Sequence, residues 1–379
     1  MNDEWGSFSA LLLASFLFFL VPFLNFIADV PQQDLEHYTS GRSIGDLEEF
    51  TRQGKYSVQT YNSISPKGLA RFPQDLYDVA PAEYASGPAQ ALLIRSHKLR
   101  ESEVDMACRA IARCGVGTNK YVISLLYSVS IAYSIWSISH LVPNDHTTWQ
   151  SHSIPVARMT ELGIPVFNTP GANANAVKEL IICGLFLGSR RIVDGINHMK
   201  DLGSKNIAKE SVEKDKAMFG GHEVRGKTIA VLGLGHIGAS VARDCFELGM
   251  SVKGYDPGLS VSSALNLPAD IAIQTSISST VTDADYVSLN IPYIKGKGGT
   301  HEIIGNDVIS QLKPGAVVLN FARGELVDSM SMKEFLDTCN GRYISDFPDD
   351  VLWGHKNAII LPHLGASTSE AEDQAVSRC

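Results

Sequence analysis

The chain has 379 residues, 44% of them apolar, and a formal net charge of −9. That length exceeds what one hydrophobic core ordinarily organises and predicts two domains. No basic run is present, which argues against nucleic acid and against adsorption to anionic lipid. Six scattered cysteines, with no CxxC pair and no histidine cluster at ligand spacing, argue for a reducing compartment and against a metal site.

Residues 8–28, FSALLLASFLFFLVPFLNFIA, form an uncharged run just long enough to span a bilayer. Asp3 and Glu4 precede it, where a secretory signal carries positive charge. Three readings stand open: a targeting signal, a membrane anchor, or mistranslated upstream sequence. Membrane contact follows only if the segment is real and retained, and the compartment stays undetermined between cytoplasm, plastid and mitochondrion. Residues 29–54 are polar and read as a linker.

Folded sequence is expected from Lys55. ALLIRSHKL, at 91–99, is a strand core whose end carries Arg95, Ser96 and Lys98. A glycine loop follows, Gly115-Val116-Gly117-Thr118-Asn119, and then, without transition, the apolar and serine-rich segment 120–153. IPVFNTPGANANAVKELIICGLFLGSRRI predicts a strand at 164–168, a turn holding Asn173, and a helix over 174–190. Strands alternating with helices predict parallel sheets, whose ligands collect at the carboxyl ends of the strands.

GKTIAVLGLGHIGASVARDCFELGMSVKGYDPG is the most specific stretch. Lys227–Leu232 reads as a buried strand. Gly233-Leu234-Gly235-His236-Ile237-Gly238 reads as a tight turn opening a helix, and Ser251–Tyr255 as the next strand, closed by Asp256. Strand, glycines, helix, strand and terminal acid in that order form a dinucleotide-binding pattern, where a lone GxGxxG would say little. Gly233 permits the turn, Gly235 lets backbone amides approach a pyrophosphate, and Gly238 allows close packing of helix on strand. Asp256 would accept hydrogen bonds from ribose hydroxyls and repel a 2′-phosphate, favouring NAD over NADP. His236 is expected beside the pyrophosphate without chemical duty.

Further apolar runs end in polar residues: ADYVSLNIP at Pro292, AVVLNFARGELVD at Arg323, RYISDFPDD at Asp346 with Asp349 and Asp350, and NAIILPHLGAST at His363. Strand ends of one doubly wound sheet share a crevice, so a cation, an acid and an imidazole would meet near the nicotinamide. Those groups suit oxidation of an alcohol beside a carboxylate: the cation grips the carboxylate, the imidazole takes the hydroxyl proton, and an acid stabilises the imidazolium. Each has a plainer alternative. Arg323 could be a surface ion-pair residue, His363 could merely end a strand, and His301, in a glycine-rich loop, rivals His363 as the base.

VLGLGHIG, SLNIPY, NFARGELVD and LPHLGAST, in that order, resemble the NAD-dependent D-isomer-specific 2-hydroxyacid dehydrogenases, especially the D-3-phosphoglycerate dehydrogenases. The resemblance spans roughly 55–119 and 154–376. It implies an α/β fold of two doubly wound parallel-sheet lobes, with a Rossmann NAD lobe inserted into a flavodoxin-like substrate lobe. The lobes are expected as substrate domain 55–172, NAD domain 173–362 and a return segment 363–379. It also implies Arg323 as the substrate-gripping cation and His363 as the base. Pro292 and Asp346 join the glycine turn on the cofactor. Gly115, Val116 and Gly117 would meet the substrate carboxylate through backbone amides, and Arg95, Ser96 and Asn173 would surround the phosphate-bearing end. A homodimer through helix 174–190 is implied as well.

The chain departs from that pattern at three places. An expected Glu-Pro pair after Asp346 is replaced by Asp349 and Asp350, so either aspartate is a candidate partner of His363. The sequence given stops soon after HLGAST, so serine control through a further domain is not expected. Segment 120–153 interrupts one substrate-binding unit and is read as translated intron rather than insertion. The function expected is oxidation of D-3-phosphoglycerate to 3-phosphohydroxypyruvate at the start of serine synthesis, because Arg95, Ser96 and Lys98 suit a dianion. Reduction of glyoxylate or hydroxypyruvate, and a catalytically impaired NAD-binding scaffold, are the alternatives.

Overall fold

A computed structural model describes residues 55–62, 64–85, 87–115, 154–205, 207–259, 264–265 and 267–378. The expectations for 8–28, Val116, Gly117 and 120–153 fall outside them. Everything that positions the site belongs to described residues within 57–73 and 79–378, which lie in one compact unit. Among the described residues no helix is long and apolar enough to cross a membrane.

In chain order the elements are β1 (Tyr56–Tyr61), α1 (Pro66–Leu69), β2 (Tyr77–Pro81), β3 (Ala91–Ile94), β4 (Ala110–Arg113), α2 (Val156–Glu161) and β5 (Val166–Asn168). Helices α3 (Ala174–Arg190), α4 (Ile192–Ser204) and α5 (Ala208–Asp215) follow. Then come β6 (Thr228–Leu232), α6 (His236–Glu247), β7 (Ser251–Tyr255), β8 (Ala272–Ile273), α7 (Ile277–Val281) and β9 (Tyr286–Leu289). The chain continues through α8 (Asn306–Ile309), β10 (Val317–Asn320), α9 (Ser329–Thr338), β11 (Arg342–Ser345), β12 (Ala358–Ile360) and α10 (Ser369–Arg378).

Two parallel sheets result. The first has the order β2-β1-β3-β4-β5 and the second β12-β11-β10-β9-β6-β7-β8. In the first, the winding direction reverses between β1 and β3, and in the second between β6 and β9. Strand ends diverge at such reversals and leave a crevice at the carboxyl edge. The second sheet is apolar throughout because both faces are covered: Ala230 and Leu232 face one buried cluster, and Ile229 and Val231 the other. This explains why β6, β9 and β10 read as continuous apolar runs rather than alternating ones.

A smaller core lies under the first sheet, formed by Leu92, Ile94, Ile111, Ile154 and Met159. A fourth cluster joins the two ends of the described chain: Ile64, Cys114 and Ala172 pack with Ala375 and Val376 of α10, against Leu69. Helix α10 therefore docks on α1 and carries the last residues back onto the first sheet.

Candidate active site

The glycine turn after β6 is shaped by contacts a side chain would destroy. Gly233 has φ of +90°, and a Cβ there would come within 2.6 Å of the Asn290 carbonyl oxygen. A Cβ on Gly238 would come within 1.8 Å of the Gly233 carbonyl oxygen. Both collisions are with backbone, so these glycines hold the end of β6, the start of α6 and the end of β9 together. At Gly235 a Cβ would meet nothing within 4 Å. The space over the amino end of the 12-residue helix α6 is thus open to a pyrophosphate, which backbone N–H groups and the helix dipole favour.

Asp256 follows β7. Its Oδ2 accepts from the Leu234 amide at 2.8 Å and its Oδ1 from the Gly258 amide at 2.8 Å, which leaves lone pairs on both oxygens for ribose hydroxyls. Asn290, after β9, adds a buried Oδ1 with no hydrogen-bond partner. These residues fit a dinucleotide. His236 begins α6, and its ring lies against the turn at Gly171, where an added Cβ would meet its Cδ2 at 2.6 Å. Ile237 is half-buried against the core. Pro292 is exposed, its carbonyl accepting from the Thr300 hydroxyl at 2.6 Å.

Arg323 follows β10. Its turn is folded around Asn320, a fully buried residue. The Asn320 Nδ2 donates to the Arg323 carbonyl at 2.8 Å, while its Oδ1 accepts from the Ala322 and Arg323 amides. The Arg323 Nη1 donates to the Ala322 carbonyl at 2.6 Å. Desolvation by surrounding protein pulls the guanidinium below the usual arginine range, against the opposing pull of Glu325. It remains a cation, and its exposed side chain is available to an anion.

His363 follows β12 and adopts φ of +57°, a left-handed conformation costly for a residue with a side chain. Asp346, only 1% exposed, braces it: Oδ1 accepts from the Leu364 amide and Oδ2 from the Gly365 amide, each at 2.7 Å. Asp346, expected on the cofactor, is here seen bracing the His363 turn with an almost fully buried carboxylate. Phe347 lies beside His363 and near Gly324, the residue after Arg323. Its ring is 4.9 Å from the His363 ring, and its Cβ is 3.4 Å from where a side chain of Gly324 would begin.

Neither candidate carboxylate partners His363. Asp349 is bound by the Ser329 hydroxyl at 2.5 Å and by the Val351 and Leu352 amides at 2.9 Å, so it caps a local turn instead. Asp350 is exposed and makes no hydrogen bond or ion pair with His363. His301 stands elsewhere, in the loop after β9, with Nδ1 3.8 Å from Glu302 and its ring 5.9 Å from that of Tyr293.

The first sheet contributes its own strand ends. Arg95 follows β3 and pairs with Glu372 of α10, Ser96 is exposed, and Asn173 precedes α3 with a buried, unpartnered Oδ1. The Gly115 amide donates to the Arg113 carbonyl at 2.8 Å and to the Thr169 hydroxyl at 3.0 Å. It is committed within the protein rather than presented to a substrate. Sequence reasoning passed over Arg113, although it ends β4 as Arg95 follows β3. Its Nε donates to the Arg95 carbonyl at 3.1 Å. Burial lowers its pKa, and the like charge of Arg323 lowers it further.

Residues 189–365 match the family model of the D-isomer specific 2-hydroxyacid dehydrogenase NAD binding domain. The chain is thus similar to that family across this stretch. It is 27% identical over 300 residues to D-3-phosphoglycerate dehydrogenase of Mycobacterium tuberculosis, covering 76% of this chain and 47% of the relative. To hydroxypyruvate reductase of Thermotoga maritima it is 28% identical over 232 residues, covering 58% of this chain and 69% of the relative. It thus spans about half the length of the phosphoglycerate dehydrogenases it matches. Among solved structures, the NAD+-bound 3-phosphoglycerate dehydrogenase of Entamoeba histolytica superposes with a TM-score of 0.60 at 20% identity, covering 86% of this chain and 92% of that one. That likeness concerns the fold of two parallel-sheet α/β regions.

Proposed function

We propose that the protein interconverts a D-2-hydroxyacid and its 2-oxoacid with NAD, acting on three-carbon acids of the glycerate series. The observation that carries this reading is that Arg323 and His363 follow strands β10 and β12 of the sheet that bears the glycine turn, with Phe347 beside His363 and near Gly324. Arg323 would hold the substrate carboxylate and draw electron density from the C2 oxygen as it becomes a carbonyl. His363 would accept the hydroxyl proton. When bound, NAD supplies the hydride acceptor at C2.

D-3-phosphoglycerate is supported by the names of relatives and by the cations Arg95 and Arg113. Hydroxypyruvate is favoured by one observation, the pairing of Arg95 with Glu372. A homodimer through α3 belongs to the same proposal, supported by Phe186, which remains 37% exposed on that helix.

NADH formation from D-3-phosphoglycerate and D-glycerate, and NADH consumption with hydroxypyruvate, measured on the full chain with Arg323→Ala as control, test the reading. Turnover of at least one pair, lost in the control, is expected. NAD binding with no turnover of any of them would replace it with the scaffold reading.

A further inference from the structure

We infer that Glu372 selects the substrate class at the distal end of the site, favouring a neutral hydroxyl over a phosphate. The inference rests on the dehydrogenase reading and deepens it. A cavity of about 30 Å³ is lined by Ser65, Arg95, Gly115, Asn173 and Glu372, among others. Phosphate recognition calls for cations and hydroxyl donors close together, and the rim of this cavity has them. Two adjacent carboxylates of α10 already hold them. Glu372 pairs with Arg95. Asp373 accepts from the Ser65 hydroxyl and from Lys67 at 2.7 Å.

The carboxylates are fixed by their helix. Ala371, Ala375 and Val376 are buried, the last two packed against Ile64, Cys114, Ala172 and Leu69, so α10 cannot turn Glu372 away without opening that core. The side chains of Arg95 and Glu372 are 25% and 32% exposed, a partial burial that weakens screening by salt. A phosphate dianion entering here would have to part the pair and remain beside the released carboxylate.

One further observation points to a hydroxyl. Asn173 lines the same cavity, and its buried Oδ1 lacks a donor; a hydroxyl can supply one and a phosphate dianion cannot. With Glu372 charged, the site favours a hydroxymethyl group over a phosphate.

The test compares the full chain with Glu372→Gln in NADH-dependent reduction of hydroxypyruvate and of 3-phosphohydroxypyruvate. The parent is expected to prefer hydroxypyruvate. Glu372→Gln, which keeps the shape and removes the charge, should shift the ratio of kcat/KM toward the phosphorylated substrate by about tenfold or more, chiefly through KM, the effect of one partly screened charge. Affinity for inorganic phosphate, measured by calorimetry, should tighten by a similar factor. A parent that prefers the phosphorylated substrate, or a variant with unchanged ratio and unchanged phosphate affinity, would overturn the inference. If neither substrate is reduced, the dehydrogenase reading fails, and the phosphate affinities alone decide the role of Glu372.

Discussion

The seven-stranded sheet builds its ligand site from sequence neighbours, whereas the five-stranded sheet completes its own with residues from the far end of the chain. In the first, Gly233, Gly235, Gly238 and Asp256 lie within one strand–helix–strand unit, and hydrogen bonds such as Leu234 to Asp256 close it locally. In the second, Ser65 meets Asp373 and Arg95 meets Glu372, pairs that exist only because α10 returns to pack on α1. A local unit is committed by its own turn chemistry. A site closed over some three hundred residues is committed by packing, and one charge on the returning helix can redirect its specificity.

The sharpest way to break the comparison is at the rim of the larger sheet. His363→Ala should lower turnover by about a hundredfold or more with NADH affinity nearly intact, since general-base contributions run from about 10² to 10⁴. Steady-state kinetics beside NADH titration checks this, and near-parental turnover together with loss of activity in His301→Ala would move the base to the loop after β9.

Asp346→Ala comes next. It leaves two amides without their charged acceptor under a left-handed residue, and should cost about 2–4 kcal/mol in denaturant unfolding as well as reduce kcat. An unchanged unfolding midpoint would mean that the His363 turn holds itself.

A smaller effect is expected at Asp256. Removing the acid in Asp256→Ala should narrow the preference for NAD over NADP by about tenfold, the order of one charge-assisted contact. Equal ratios of catalytic efficiency in parent and variant would show that the ribose end is read by other groups.

The smallest concerns Tyr343, whose buried hydroxyl accepts from the Asn320 Nδ2 at 2.9 Å and whose pKa burial pushes up to about 12. Tyr343→Phe should cost about 1 kcal/mol, because Asn320 keeps its bond to the Arg323 carbonyl. A much larger loss of stability or activity would make Tyr343 an essential support of the Arg323 turn.

Much of this was legible in the chain. β7 and α3 occupy the residues expected of them, and β6 begins one residue later than expected. Apolar runs ending in polar residues marked the rim that holds Arg323 and His363, because parallel strands must expose their carboxyl ends together. The same signal was present at Arg113 and went unused. The partner of His363 was not legible. Two aspartates at a plausible distance along the chain looked equivalent, and only the fold shows Asp349 satisfied by Ser329 and two amides while Asp346 reaches the turn beyond β12.

By itself the sequence determined what depends on short-range chemistry: two parallel sheets, a glycine turn that can exist only without side chains, an acid at the end of β7 and an NAD-binding lobe. Tertiary structure alone decided which acid serves which turn and that Glu372 neutralises Arg95. The physical reason is that periodicity and turn chemistry act over a few residues. Pairing between charges depends on which helix face is buried, and for α10 that face was chosen by a core shared with residues at the opposite end of the described chain.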